Sequence, residues 1–107
     1  MKYLLVINSN DVETVWNALR FGSAALSRSH EVSIFLLGAA VDVASIGDEH
    51  FDVQTLLIRF DELGGVALSC GTCLRLREMD ATALCPMSTM DDLLRLTEDA
   101  DRVLTFG

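Results

Sequence analysis

Gly64-Gly65-Val66-Ala67-Leu68-Ser69-Cys70-Gly71-Thr72-Cys73 decides the fold, because three structural signals meet within ten residues. Two glycines are what a helix C-terminus favours. Val66 to Ser69 is a short apolar run of strand character, and Cys70-Gly71 begins a further helix, expected to last about two turns to Glu78. Upstream, Asp52 is placed to cap a helix whose Val53, Leu56, Leu57, Phe60 and Leu63 form the clearest amphipathic stripe in the chain. Further upstream lie two more apolar runs, Lys2 to Asn8 and Glu31 to Leu37. Between them Val12, Val15, Trp16, Leu19 and Leu26 recur at helical spacing, with Asn10 as the expected cap and Glu13 as its capping-box partner. Ala39 to Glu49 reads as a loop with a short helical turn. Downstream, Ala81 to Leu84 is expected as a fourth, weak strand ended by Cys85-Pro86. Ser88 with Asp91 signals another helix, with Met90, Leu93 and Leu94 as its apolar side, and Arg102 to Phe106 closes the chain as a fifth strand.

Strands that alternate with helices imply a parallel sheet joined by right-handed crossovers. The expected architecture is a single three-layer α/β domain over residues 1–107, a mostly parallel five-stranded sheet with helices on both faces. Continuous apolar strands fit burial on both sides. The size suits one core: for 11.7 kDa, surface scaling gives about 5,900 Å² folded against about 17,000 Å² unfolded, so about 65% is buried. Half of the residues are hydrophobic and the mean hydropathy is +0.35 although the net charge is −8. That combination points to apolar surface at a subunit interface.

Sixteen acidic residues against eight Lys and Arg supply no footprint for a phosphate backbone, so nucleic acid is excluded as a partner, and an anionic membrane surface repels the chain. The longest apolar stretch, Ile34 to Val41, falls far short of the roughly 20 residues that span a bilayer. Lys2 with Tyr3 to Ile7 lacks the length and cleavage site of a signal peptide, so a cytoplasmic protein is expected. Three cysteines are too few for a disulfide framework; in a reducing compartment Cys70-Gly71-Thr72-Cys73 suggests redox, sulfur or metal chemistry.

Ligands of parallel α/β sheets collect at the carboxyl ends of the strands. Asn8-Ser9-Asn10, Cys70 and Cys85 would all fall there, bringing the three cysteines to one edge. A thiol at a helix start is expected to have a lowered pKa and to react as the thiolate, and Gly71 would let backbone approach the sulfur. From Leu63 to Arg77 there is no acid, so Arg75 and Arg77 form a basic island. Arg77 is one turn, roughly 6 Å, from Cys73 and roughly 10 Å from Cys70; its expected work is to meet an anionic partner. A Cys-x-x-Cys pair can also be two buried small hydrophobes, but straddling a strand-to-helix junction favours reactivity, whereas Cys85 alone reads as packing. Zinc would need His30 or His50 as a fourth ligand, and neither has ligand-like spacing, so no metal is expected. His30 is expected as an exposed turn residue at the opposite edge. Glycine-rich phosphate loops are absent, and Ser9 has no His and Asp nearby, so no cofactor and no serine nucleophile are expected.

The opening Tyr3-Leu4-Leu5-Val6-Ile7-Asn8, the Gly64 to Cys73 stretch and the closing Ala100-Asp101-Arg102-Val103-Leu104-Thr105-Phe106 resemble the DsrE/DsrF-like family over nearly the whole chain. The most specific part is Cys70-Gly71-Thr72-Cys73 after a short strand, with Arg77 seven residues past Cys70. The resemblance implies a small α/β fold, assembly as a trimer or hexamer, and sulfur carried as a persulfide on Cys70 between donor and acceptor proteins. Cys73 would resolve or modulate that persulfide, with Gly71, Thr72, Arg77, Asn8, Ser9 and Cys85 in supporting places. Two features depart from the sulfur-relay pattern. Arg-Gly is common where Arg77-Glu78 stands here, so the turn ending that helix is expected to differ. Cys73 is shared with the YchN-like members and missing from the TusD-type ones. A thiol there can attack a Cys70 persulfide, release sulfide and close a disulfide. The alternatives are a dithiol oxidoreductase or redox sensor through the same pair, or an assembly subunit with buried cysteines.

Overall fold

Lys2–Ile7 (β1), Glu31–Leu36 (β2) and Val66–Cys70 (β3) carry the continuous apolar runs, and they occupy the interior of the sheet. Leu5, Ile7 and Phe35 are completely buried, Leu4 and Ile34 nearly so. Residues apolar on both strand faces need cover on both, and only a sheet sandwiched between helices provides it. In the computed structural model, which describes all 107 residues, two short strands complete the sheet, Met87–Ser88 (β4) and Arg102–Phe106 (β5). The order is β4-β3-β2-β1-β5, and every neighbouring pair is parallel, rather than most of them.

Val12–Ser27 (α1) and Val53–Glu62 (α2) lie together on one face. A Cβ on Gly22 of α1 would stand 2.9 Å from Phe60 of α2 and 3.3 Å from Leu5 of β1. The bare glycine therefore lets helix, helix and strand meet at one point. Between β2 and α2, Gly38–Ser45 winds as a 3₁₀ segment where a loop with a helical turn was expected. Gly71–Leu76 (α3) follows β3 and ends two residues sooner than predicted. Met90–Asp99 (α4) carries the chain back across the sheet to β5. Right-handed crossovers put helices on opposite faces when the direction of travel reverses, and α4 does lie on the far face, where its Leu96 shares hollows with Leu4, Ser33 and Leu68.

The starts of α1 and α2 follow one chemical pattern. Asp11, not Asn10, caps α1: its carboxylate accepts the Thr14 N–H at 3.0 Å and the Thr14 hydroxyl at 2.8 Å. Asp52 repeats this with Thr55 at 3.1 and 2.7 Å. Asp-x-x-Thr thus replaces the capping box expected with Glu13. The Thr14 and Thr55 donors hold both carboxyls below the ordinary carboxylate range, so the caps persist above about pH 4 and are lost in acid.

The helix ends share a second pattern. After α1, Ser29 N–H reaches Leu26 O and His30 N–H reaches Ala25 O; after α2, Gly64 reaches Asp61 and Gly65 reaches Phe60; after α3, Glu78 reaches Arg75 and Met79 reaches Leu74. Each is a Schellman closure, which needs a left-handed residue at the first position past the cap. Gly64 supplies it after α2 with φ +95°, whereas Ser29 (φ 66°) and Glu78 (φ 52°) adopt it without being glycine. The turn after α3 is therefore closed in the ordinary way with Glu78 in the glycine position, and it does not diverge as expected. A non-glycine residue held left-handed costs roughly 1–2 kcal/mol, partly offset by the greater freedom glycine has in the unfolded chain. Ser29→Gly and Glu78→Gly should each stabilise the protein by about 1 kcal/mol, additively, in denaturant unfolding; destabilisation by either would contradict this account.

Candidate functional site

Cys70 is the last residue of β3 and the cap position of α3, and only 3% of it is exposed. Its place is set by the pairing of β3 with β4, in which Ser69 stands opposite Met87 and Cys70 opposite Ser88. That two-residue strand passes so close that a Cβ on Gly71 would stand 3.0 Å from Met87 Cγ and 3.1 Å from the Ser88 carbonyl oxygen. Gly71 thus makes room for β4, rather than for backbone at the sulfur. The two segments enclose a cavity of about 260 Å³. Cys70, Gly71, Thr72 and Arg75 line one side, and Met87, Ser88, Thr89, Met90 and Asp92 the other.

Burial pushes the Cys70 thiol up in pKa. The Cys73 amide opposes this, the Cys73 side chain adds to it through hydrogen bonding and charge, and the Thr72 amide again opposes it; the balance remains upward. The lowered pKa expected at a helix start is therefore overturned. A helix of six residues aligns few peptide dipoles, no side-chain cap bond forms at Cys70, and desolvation wins.

Cys73 is half-buried beside Cys70 and accepts the Gly38 N–H on its sulfur at 3.2 Å. Gly38 adopts φ +55°, and a Cβ there would stand 2.5 Å from Asn8 Oδ1. Asn8, at the end of β1, thus reaches the thiol pair through Gly38. Ser9 does not: its hydroxyl accepts the Asp11 N–H at 3.0 Å. Arg77 donates to the Cys73 carbonyl at 3.3 Å and folds back on its own helix. Arg75 takes the cavity instead, with Nη2 3.2 Å from Thr72 Oγ1 and no carboxylate within ion-pair distance.

Cys85 is not at this edge. The stretch from Ala81 to Leu84 is not a strand, and β4 starts only at Met87, so Cys85 lies before the strand rather than at its carboxyl end. It is not among the residues that line the cavity over Cys70. It is 1% exposed, and burial, opposed by a hydrogen bond with Thr82 and reinforced by Asp61, pushes its thiol up to about 11. All three cysteines are free. No group of three His, Cys, Asp or Glu side chains comes together to hold a metal ion. His30 is partly buried and lies 3.0 Å from the Met1 amine.

Sequence reasoning passed over Ser88 and Asp92 because Ser88 read as the cap of α4. Thr89 is that cap, accepting the Asp92 N–H at 3.1 Å, and this frees the Ser88 hydroxyl to donate to the Asp92 carboxylate at 2.7 Å. Ser88, followed by Thr89, both before an Asp, was the available signal: one hydroxyl is surplus to the cap. The Ser88 bond, foremost among several, holds the Asp92 carboxyl low and therefore charged.

Fold and site together define a small, all-parallel α/β domain with two neighbouring thiols at a strand-to-helix junction. The chain belongs to the DsrE/DsrF-like family, whose model matches residues 1–106. Among solved structures it is similar to the YchN protein of E. coli, with 24% identity and a TM-score of 0.87 over 99% of each chain. It is also similar to a conserved protein of unknown function from Bacteroides thetaiotaomicron, with 17% identity and a TM-score of 0.76 over 97% of this chain and 93% of that one. None of the curated proteins matches. At these identities the two structures speak for the fold.

The three thiols should separate in alkylation of the native protein. Cys73 should react first and Cys70 more slowly. Cys85 should stay inert at pH 8, where a pKa of about 11 leaves roughly a thousandth as thiolate. Because the folded state keeps the Cys85 proton that the unfolded chain loses near pH 8.5, stability should fall as pH rises from there toward 11. Ready labelling of Cys85 before unfolding would refute its placement.

Proposed function

We propose that this protein transfers sulfane sulfur, with Cys70 as the residue that accepts it. The observation that carries the reading is a buried cysteine that lines a cavity, with a second thiol beside it. Cys70 Sγ attacks the outer sulfur of a donor persulfide R–S–SH. A new S–S bond forms as the donor's breaks, R–S⁻ departs with the Cys70 proton, and Cys70–S–SH remains, with no net oxidation. Burial suits storage, since the bound sulfur is screened from water and solution thiols. An acceptor thiolate, carried by a partner protein, then attacks the outer sulfur and restores Cys70.

Cys73 sets the lifetime of that intermediate. Attack of its thiolate on the inner sulfur expels HS⁻ and closes a Cys70–Cys73 disulfide, which two electrons from an external dithiol must reopen. The Gly38 N–H ties the Cys73 sulfur toward the 3₁₀ segment, restraining that attack. The nearness of the two thiols also supports a second reading, a dithiol–disulfide oxidoreductase or redox sensor using the same pair. A reducing compartment such as the cytoplasm keeps three such cysteines free, and no helix is long and apolar enough to cross a membrane.

Intact mass after exposure to a sulfane donor should show one added sulfur, lost in Cys70→Ser and longer-lived in Cys73→Ser. No adduct on the wild type, with a reversible internal disulfide in its place, would overturn sulfur transfer in favour of the redox reading.

The same function fits an oligomer. No residue of α4 is buried, and Leu94, which does not line the cavity, is 57% exposed. Further copies of the chain, in a trimer or hexamer, would cover this ridge. Native mass measurement should show three or six copies, and Leu94→Glu should release monomers; a monomeric wild type at micromolar concentration would refute the assembly.

A further inference from the structure

The cavity over Cys70 holds two formal charges among its nine lining residues, and they stand on different walls. Arg75, on α3, has a hydroxyl partner in Thr72 but no carboxylate. Asp92, on α4, is held charged by the Ser88 hydroxyl. Its other ionic neighbour, Arg95, stands 4.0 Å away and is engaged more closely by Asp91. Arg75 is thus without an ionic partner, and Asp92, though hydrogen-bonded by Ser88 and Thr89, has no cation closer than 4.0 Å. A dianion such as thiosulfate would meet Arg75 favourably and Asp92 unfavourably. A cysteine side chain of a partner protein, its amine and carboxyl locked in peptide bonds, would answer neither.

Size gives the same answer. A cavity of about 260 Å³ has room for a molecule the size of an amino acid. Met87 and Met90, both well exposed, supply soft thioether surface beside the sulfur position.

We infer that the sulfur donor is a free zwitterionic amino-acid persulfide of the cysteine type, its carboxylate received by Arg75 and its ammonium by Asp92 with Ser88. This rests on the sulfur-transfer reading and specifies the donor for it. The outer sulfur of the donor is presented to Cys70 in the cavity. As the new S–S bond forms, free cysteine leaves as the thiolate and carries off the Cys70 proton. Arg75 and Asp92 are positioning residues, since neither touches the reacting sulfurs, and their effect belongs in donor selectivity rather than in the chemistry itself.

Four persulfides, each made by mixing its disulfide with sulfide, test the inference: those of L-cysteine, cysteamine (no carboxylate), 3-mercaptopropionate (no ammonium) and N-acetylcysteinamide (neither charge, like a protein cysteine). Loading rates on the wild type, followed by intact mass, should favour L-cysteine persulfide over each one-charge analogue by about tenfold, the factor one charge-assisted hydrogen bond supplies at a half-open site. Arg75→Gln should abolish the preference over cysteamine and keep that over 3-mercaptopropionate, and Asp92→Asn should do the reverse. Equal loading by all four, or a preference for N-acetylcysteinamide, overturns the zwitterionic donor while leaving sulfur transfer intact. Loading by none overturns sulfur transfer itself. The wild-type comparison stands even if a variant folds poorly, because the discrimination is read between donors on one protein.

Discussion

Everything at the site depends on how closely Met87–Ser88 passes over Gly71. Two residues of strand are enough to pair with β3 because the sheet is already templated there, yet they fix the far wall of the cavity. Ser88 stands opposite Cys70, Thr89 follows as the cap of α4, and the cap directs the first turn of that helix so that Asp92 returns to Ser88. The Gly71 position leaves no slack: a methyl group there would press on Met87 and on the Ser88 carbonyl, and the neighbours would have to give. One absent side chain thus sets the spacing between the nucleophile and the charge opposite it.

The chemistry follows from a contest between burial and local polarity. A thiol at a helix start ordinarily gains thiolate character, but α3 has only six residues and Cys70 is buried, so desolvation prevails. The consequence is a Cys70 thiol held toward its protonated form. Cys73 has the opposite arrangement, being half-buried with a backbone N–H aimed at its sulfur. The two thiols therefore differ in environment, although they stand three residues apart across one strand-to-helix junction.

The fold was legible because two-sided burial writes itself into sequence as unbroken apolar runs, and β1, β2 and β3 are such runs. Helix ends were legible to within a residue or two where glycine or an Asp-x-x-Thr pair stood, and less so where Ser29 and Glu78 did the work of glycine against their own preference. The fourth strand was misplaced for a different reason. Ala81 to Leu84 has local strand character, whereas Met87–Ser88 is a strand solely because β3 offers its edge, a tertiary effect that no window of sequence contains. Cys85 moved with it. Arg77 and Arg75 could not be ranked by spacing either, since a helix that ends in a Schellman turn reclaims Arg77 for its own carbonyl and leaves Arg75 at the cavity.

The acidic balance of the chain completes the selection at the site. With a net charge of −8, the protein's long-range field slows any anionic donor before contact, and salt only shortens its reach to about a Debye length. Inside the cavity Arg75 and Asp92 would act on the proposed donor at hydrogen-bond range, where screening is weaker. The absence of acids from Leu63 to Arg77 then has a local meaning: it keeps Arg75 from being neutralised by a neighbour on its own segment. A carboxylate one turn away on α3 would close an ion pair across the helix surface and remove the one cation the cavity holds.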